Sequence, residues 1–346
     1  MDPADSLLCA TRHLLLGAAE SPRTRFASGE LVRLRRGFYV PTSVWVEAAE
    51  HERFLLAATA LAQAHPSTVF CGETALFLRG LPTVKAPTAI DVAAPSRGRL
   101  GERPPTFQAA GSELAEKARR LAPPPVRRHF HPGLEPETLG EFHLAPTATA
   151  LVEVLAVGRF ARALTVADGV LRQQADAPLQ DRLDVRSAIE ALRHARWRSR
   201  ASLIASLAGA GAESPGESVS RALMLLFGFP EPALQVEHYD SLGLVGRTDC
   251  FWDAERVEAP LRGFGEGPVG EFDGWGKYFR AEMARGEDPR EIIRREKRRE
   301  NRLLALGHPV VRWDWADLER PSRLRAKLIE VGLRPDTRRL VVEKVA

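Results

Sequence analysis

The segment Ser214-Pro215-Gly216-Glu217 constrains the fold more tightly than any other stretch of the chain. Serine can cap a helix by accepting from an unpaired backbone N–H. Proline suits the first helical position, and a glutamate three residues after the serine completes a capping box. A helix is therefore predicted from here to Phe227, burying Val219, Ala222, Leu223 and Leu226 along one face and ending at Gly228. Leu234 to Tyr239 and Leu244 to Trp252 read as two strands joined by Asp240-Ser241-Leu242-Gly243, and Val269 to Asp273 as a third. The expectation is a helix followed by a three-stranded meander.

Side chains alternate along a strand, so Glu271 and Asp273 are predicted on one face of the third strand, with Asp249 near the end of the second. Burying charge is costly, and three convergent carboxylates call for a cation, bound water or basic partners. Mg²⁺ is held by one or two carboxylates plus water and substrate phosphate, and it activates water for attack on a phosphodiester. Lys277, four residues after Asp273, would orient that water or neutralise developing charge. The plain alternative is an open sheet face whose acids pair with nearby arginines. Downstream, Pro289 to Leu306 is predicted helical, and Arg294 to Arg302 (RREKRRENR) holds six basic and two acidic residues. Glu296, Arg299, Leu303 and Gly307 share one face of that helix, and His308 to Trp313 follows as an apolar strand containing Arg312. Acids holding an ion beside arginines holding phosphates would suit a polyanionic substrate.

The rest of the chain reads as scaffold. Residues 7 to 19 are helix-compatible, and LVRLRRGFYV from Leu31 alternates well enough for two short strands around a Gly turn. Arg33, Arg35 and Arg36 cluster at that turn, where a DNA-contacting wing would meet phosphates; an ordinary solvated hairpin is the competing reading. His129, His131 and His143 lack a helical HxxxH spacing or a Cys pair, so they read as surface or core histidines rather than ligands. Asp168 reads as a solvated or capping carboxylate, and Gly209-Ala210-Gly211-Ala212 as a domain boundary. Over 346 residues, 49 basic against 45 acidic side chains leave a net charge of only +4, too little to diagnose nucleic-acid binding without a local patch. Three dispersed cysteines, no apolar run near the ~18 residues of a membrane span and no basic leader point to a soluble cytoplasmic protein without a membrane partner.

The block from Ser214 to Leu318, with SPGE, TDCFW, EFDGWGK, ENRLLALG and VVRWDW in order, resembles the small endonuclease-like domains related to very-short-patch-repair endonucleases, in the PD-(D/E)xK superfamily. The resemblance implies an acidic site of Glu217, Asp249, Glu271 and Asp273, with Lys277 where related domains often carry His, and Arg299 and Arg312 in support. Two departures stand out: Asp273 replaces the superfamily's lysine, and the stretch between Asp249 and Glu271 is longer than usual. More weakly, ELVRLRRGFYV, ETALFLRGLP, PTATALVEVLA and VADGVLR resemble actinobacterial antitoxins of the abortive-infection E class, from type IV toxin–antitoxin systems. Many of those join a winged-helix head to an antitoxin domain and an endonuclease-like tail.

The expected protein is thus α/β (α+β): a winged-helix-like head over 1–45, a mixed α/β antitoxin-like middle over 46–208, and a restriction-endonuclease-like mixed sheet flanked by helices over 213–346. Two functions follow from different classes. One is an Mg²⁺- or Mn²⁺-dependent DNA endonuclease serving in defence, with Asp249 and Glu271 as metal ligands and Arg295, Arg299 and Arg312 on the nucleic acid. The other is a non-catalytic DNA-binding antitoxin that represses its own operon and pairs with a cognate toxin protein.

Overall fold

The computed structural model describes residues 7–9, 21–173, 177–254, 266–274 and 288–336. The described residues form a mixed α/β structure with three sheets. The contacts divide it into two units, residues 1–157 with 183–191, and residues 158–182 with 192–346.

The chain opens with β1 (Leu8–Cys9), α1 (Pro22–Ala27), β2 (Leu31–Arg35), β3 (Phe38–Pro41), α2 (Thr42–Glu47) and α3 (Glu50–Ala64). Ser21 caps α1 by accepting from the Thr24 N–H, and β1, β3 and β2 form an antiparallel sheet in that order. Leu8 and Cys9 were expected in a helix, but their backbones pair with Tyr39 and Phe38. Val32, Leu34, Phe38, Val40 and Trp45 close over Leu56 and Ala60 as one core.

Next come β4 (Val69–Phe70), α4 (Gly72–Leu78), β5 (Ile90–Ala94), β6 (Gly101–Arg103), α5 (Glu113–Arg120), β7 (Val126–Phe130), β8 (Glu137–Leu139), β9 (Phe142–Leu144) and α6 (Thr147–Val157). Their six strands make a mixed sheet in the order β6-β7-β5-β4-β9-β8.

Beyond it lie α7 (Phe160–Gln173), α8 (Leu183–Glu190), which belongs to the first unit, and α9 (Ala195–Leu207). The second unit continues through α10 (Pro215–Phe227), β10 (Ala233–Asp240), β11 (Gly243–Phe251), β12 (Val269–Phe272), α11 (Pro289–Ala305), β13 (Val310–Trp313), α12 (Trp315–Glu319) and α13 (Pro321–Glu330). Its sheet runs β10-β11-β12-β13, antiparallel except for the parallel β12–β13 pair.

Helix α10 begins where the capping residues require: Ser214 Oγ accepts from the Glu217 N–H at 3.2 Å, and Gly228 ends the helix in the left-handed conformation. Its small residues let it approach the sheet closely. A Cβ on Gly216 would fall 2.0 Å from the Phe272 ring, and one turn later Ser220 Oγ accepts from Trp313 Nε1 at 2.7 Å.

A buried ion pair spans the expected boundary at Gly209–Ala212. Asp168 on α7 is 1% exposed, not solvated, and its carboxylate receives Arg221 Nη1 of α10 at 2.8 and 2.9 Å and the Gly209 N–H at 2.9 Å. Arg221 also donates to Leu207 O at 2.6 Å and Glu231 at 3.1 Å. Burial works against the Arg221 charge, but Asp168 and Glu231 together outweigh it and raise its pKa. Helices α7 and α9 are thereby tied to α10. Removing one partner would strand the other charge in the interior. Asp168→Ala is expected to lower unfolding stability by about 3–5 kcal/mol, read as a fall in the urea midpoint; a change below about 1 kcal/mol would mean the pair behaves as a surface bridge.

Candidate functional site

The acidic residues singled out in the sequence gather on the second unit's sheet and the first turn of α10. Cys250 pairs with Gly270 and Phe251 with Val269. Extending that register by one residue sets Asp249 opposite Glu271, and directly opposed residues project to the same face. Asp249 Oδ2 accepts from the Phe272 N–H at 2.8 Å, across the same pair of strands.

Glu217 is almost fully buried, 9% exposed, and does not close the capping box back onto Ser214. Its Oε2 accepts from the Glu213 N–H at 2.8 Å and from Gln235 Nε2 at 2.9 Å. Gln235 also favours the charged form of Asp249, so one amide acts on two acids of the cluster. It lies on β10 between the partners of Cys250 and Thr248 and has a left-handed backbone, φ 55°, uncommon for a residue with a side chain. Gln235 escaped the sequence reading because nothing local marks a glutamine inside a strand as part of a site.

Glu271, 6% exposed, is held between two guanidinium groups. Arg299 Nη2 of α11 bonds Oε1, and Arg312 Nη2 of β13 lies 2.8 Å from Oε2. Arg312 stands beside Glu271 in the parallel β12–β13 register and also reaches Asp273, Nη1 to Oδ1 3.4 Å. Arg299 further contacts Glu296 at 3.3 Å and the Arg247 carbonyl at 2.8 Å. It passes over Gly246, where a Cβ would sit 2.6 Å from its Nε, so a side chain there would push the guanidinium aside. The pairing of acids with arginines, set out above as the plain alternative, is thus present at Glu271 and Asp273.

Burial is the largest influence on Asp249 and pushes its carboxyl up to about 6, with the charge of Glu217 adding to it and the Phe272 N–H and Arg299 opposing it. Burial likewise raises Glu271, although Arg299 and Arg312 pull it down. Asp249 and Glu217 present hard oxygen donors of the kind Mg²⁺ or Mn²⁺ takes. Both oxygens of Glu271 face guanidinium groups, so it could serve as a ligand only with those contacts rearranged. Among the described residues, Asp249, Glu271, Asp273 and Glu217 do not offer three ligand atoms within 4.8 Å of one another.

Lys277 lies outside the described residues, as do residues 255–265 of the long β11–β12 connection. Helix α11 starts at an Asp288 cap and buries Leu303, leaving Arg294, Arg295, Lys297 and Arg298 exposed. In the first unit, the basic hairpin is only partly open. Arg33 is fixed by its side-chain bond to Gln108, by backbone bonds to the same residue at 2.8 Å in both directions, and by the Phe26 ring 5.4 Å away. Arg35 is half-buried, with its pKa lowered chiefly by burial and then by Arg128, and Arg36 is exposed.

Compared with family models, with curated proteins and with solved structures, the chain matches none of them. Among the described residues, no helix is long and apolar enough to cross a membrane.

The raised Asp249 carboxyl has a measurable consequence. Its folded value of about 6 exceeds that of an unfolded aspartate, ~3.9. The folded chain therefore holds an extra proton between roughly pH 4 and 6, and this group's contribution to stability falls as pH rises through that window. In EDTA, Asp249→Asn should gain up to about 3 kcal/mol over the parent at pH 7 and nothing at pH 4. Urea unfolding at the two pH values checks this, and an equal gain at both would show that Asp249 does not carry the shift.

Proposed function

We propose that the second unit is a divalent-cation-dependent phosphodiesterase acting on DNA, an endonuclease of the PD-(D/E)xK kind. The observation that carries this reading is the placement of Asp249 opposite Glu271 on adjacent strands, with Glu217 electrostatically coupled to Asp249. The basic face of α11 supports a polyanionic substrate, since its helix also sends Arg299 to Glu271. An Mg²⁺ or Mn²⁺ ion bound at Asp249 and Glu217, and at Glu271 once its arginines turn to substrate, would supply Lewis-acid activation of water and neutralise phosphate charge.

The chain's own groups have separable roles in this scheme. Asp249, with a carboxyl near 6, is largely ionised at neutral pH and basic enough to take the proton of an attacking water. Arg312 keeps donors to spare: its Nε and Nη2 are buried without a hydrogen-bond partner, Nη2 meeting Glu271 at ion-pair distance only. A phosphate oxygen would satisfy them. Arg36 and the half-buried Arg35 of the β2–β3 hairpin would add phosphate contacts in a winged-helix-like head.

A second reading is favoured by a specific observation. Glu271 already has a guanidinium at each oxygen, and Asp273, in the place of the superfamily's lysine, pairs with Arg312 rather than facing an open site. Those pairs suit a non-catalytic DNA-binding antitoxin that represses its own promoter, with a cognate toxin as partner.

Plasmid nicking in Mg²⁺ or Mn²⁺ separates the two. The endonuclease reading expects nicking that falls by about 100-fold or more in Asp249→Asn and in Glu271→Gln, with both variants folded by circular dichroism. Absence of cutting in either metal, together with a salt-sensitive shift of the protein's own promoter fragment, would overturn it in favour of the repressor.

A further inference from the structure

A second cluster of chemistry-bearing side chains lies in the first unit and uses no residue of the acidic site. Cys71 Sγ, a ring nitrogen of His131 and a carboxylate oxygen of Glu153 lie within 4.8 Å of one another, and among the described residues no other three-membered group of His, Cys, Asp or Glu does so. The three come from different elements. Cys71 sits between β4 and α4, His131 directly follows β7, and Glu153 lies on α6.

Their positions are fixed by backbone contacts rather than by the cluster itself. The Cys71 N–H donates to Asp91 O of β5 at 3.0 Å, its carbonyl accepts from the Ala75 N–H at 3.2 Å, and the His131 N–H donates to Ala94 O at 3.0 Å. His131 Nε2 is bonded to Glu153 Oε1, so these two donor atoms already converge on a common point. Cys71 is fully buried, whereas the His131 and Glu153 side chains are 17% and 22% exposed, which leaves the cluster open to solvent on their side. Beside it, Asp91 Oδ1 and His129 Nε2 form their own pair at 2.7 Å.

The donor set selects among ions. Thiolate sulfur and imidazole nitrogen disfavour Mg²⁺ and Ca²⁺, which take oxygen almost exclusively, and suit zinc and its neighbours. In a tetrahedral zinc site with bonds of about 2.0–2.3 Å, ligand atoms stand roughly 3.3–3.8 Å apart. Atoms within 4.8 Å of one another reach that spacing by side-chain adjustments on the order of 1 Å. Three protein ligands and one open position is also the pattern of catalytic rather than structural zinc.

We propose that Cys71, His131 and Glu153 form a binding site for a divalent transition metal of the zinc class, with a fourth position open to water or a substrate donor.

Titration of the full-length, reduced chain with Co²⁺ tests this, because a cobalt–thiolate bond produces a charge-transfer absorption that oxygen or nitrogen ligands alone do not. One cobalt per chain with that band is expected, displaced by one equivalent of Zn²⁺ and not by excess Mg²⁺. Cys71→Ser should abolish the band, and His131→Ala and Glu153→Gln should each weaken cobalt binding by tenfold or more. Asp249→Asn should leave band and affinity unchanged, which separates this site from the acidic cluster. A parent protein without the band, a band that survives Cys71→Ser, or unchanged affinity in both His131→Ala and Glu153→Gln would overturn the assignment. The last two variants decide the matter even if Cys71→Ser does not fold.

Discussion

The second unit depends on the close contact of one helix face with its sheet. Gly216 leaves room for the Phe272 ring, and Ser220, one turn on, accepts from the buried Trp313 indole. A helix set this near the strands carries whatever flanks those small residues into the interior. Glu217 and Arg221 each follow one of them by a single position and are therefore buried at 9% and 2% exposure. Opposite charges four residues apart would ordinarily pair across a helical turn. Here each has found partners elsewhere: Glu217 takes Gln235 and the Glu213 N–H, and Arg221 takes Asp168 and Glu231. One face of α10 thus performs two tasks, placing an acid among the strand carboxylates and anchoring α7 and α9.

How far this could be read from the chain follows from the range of the interaction involved. Helix α10 was legible because capping and its glycine stop act within a few residues, and β10 and β11 because alternation and a tight turn are local; the strands run on to pair Asp240 with Gly243, leaving only two residues between them. The same period-two rule places Glu271 and Asp273 where a single arginine, Arg312, reaches both. What escaped was set by distant partners. Asp168 looked like any helical acid until Arg221, fifty-three residues away, was brought against it. Strand β7, Val-Arg-Arg-His-Phe, carries little hydrophobic alternation and is held as a strand by parallel pairing to β5. The three histidines were judged by helical spacing, a rule blind to His131 meeting Cys71 and Glu153 across two loops and a helix.

Electrostatics divide the acidic cluster into two halves with different freedom. Glu271 and Asp273 are neutralised by Arg299 and Arg312, whereas Asp249 and Glu217 rely on neutral donors, the Phe272 and Glu213 N–H groups and the Gln235 amide. Asp249 is raised to about 6 chiefly by burial, while at Glu271 burial also raises the carboxyl but Arg299 and Arg312 at its two oxygens oppose it. A cation entering the cluster would therefore be drawn first to Asp249 and Glu217.

That asymmetry bears on what an aspartate at position 273 does. A lysine there would add positive charge beside Arg312 and compete with it for Glu271; the aspartate instead gives Arg312 a further acid to hold beside Glu271 and Glu296. The guanidinium is thereby spread over three carboxylates, those of Glu271, Asp273 and Glu296, and its Nε and Nη2 make no hydrogen bond. An anion arriving at those donors would not need to break a well-formed hydrogen bond from Nη2 to Glu271, only to replace an ion pair of poor angle with a better-aligned contact. Of the two contacts that hold Glu271, the one from Arg312 is for that reason the weaker, and Arg299 still bonds the other oxygen. Loss of the Arg312 contact would release Oε2 alone and leave Glu271 tethered to α11 through Arg299.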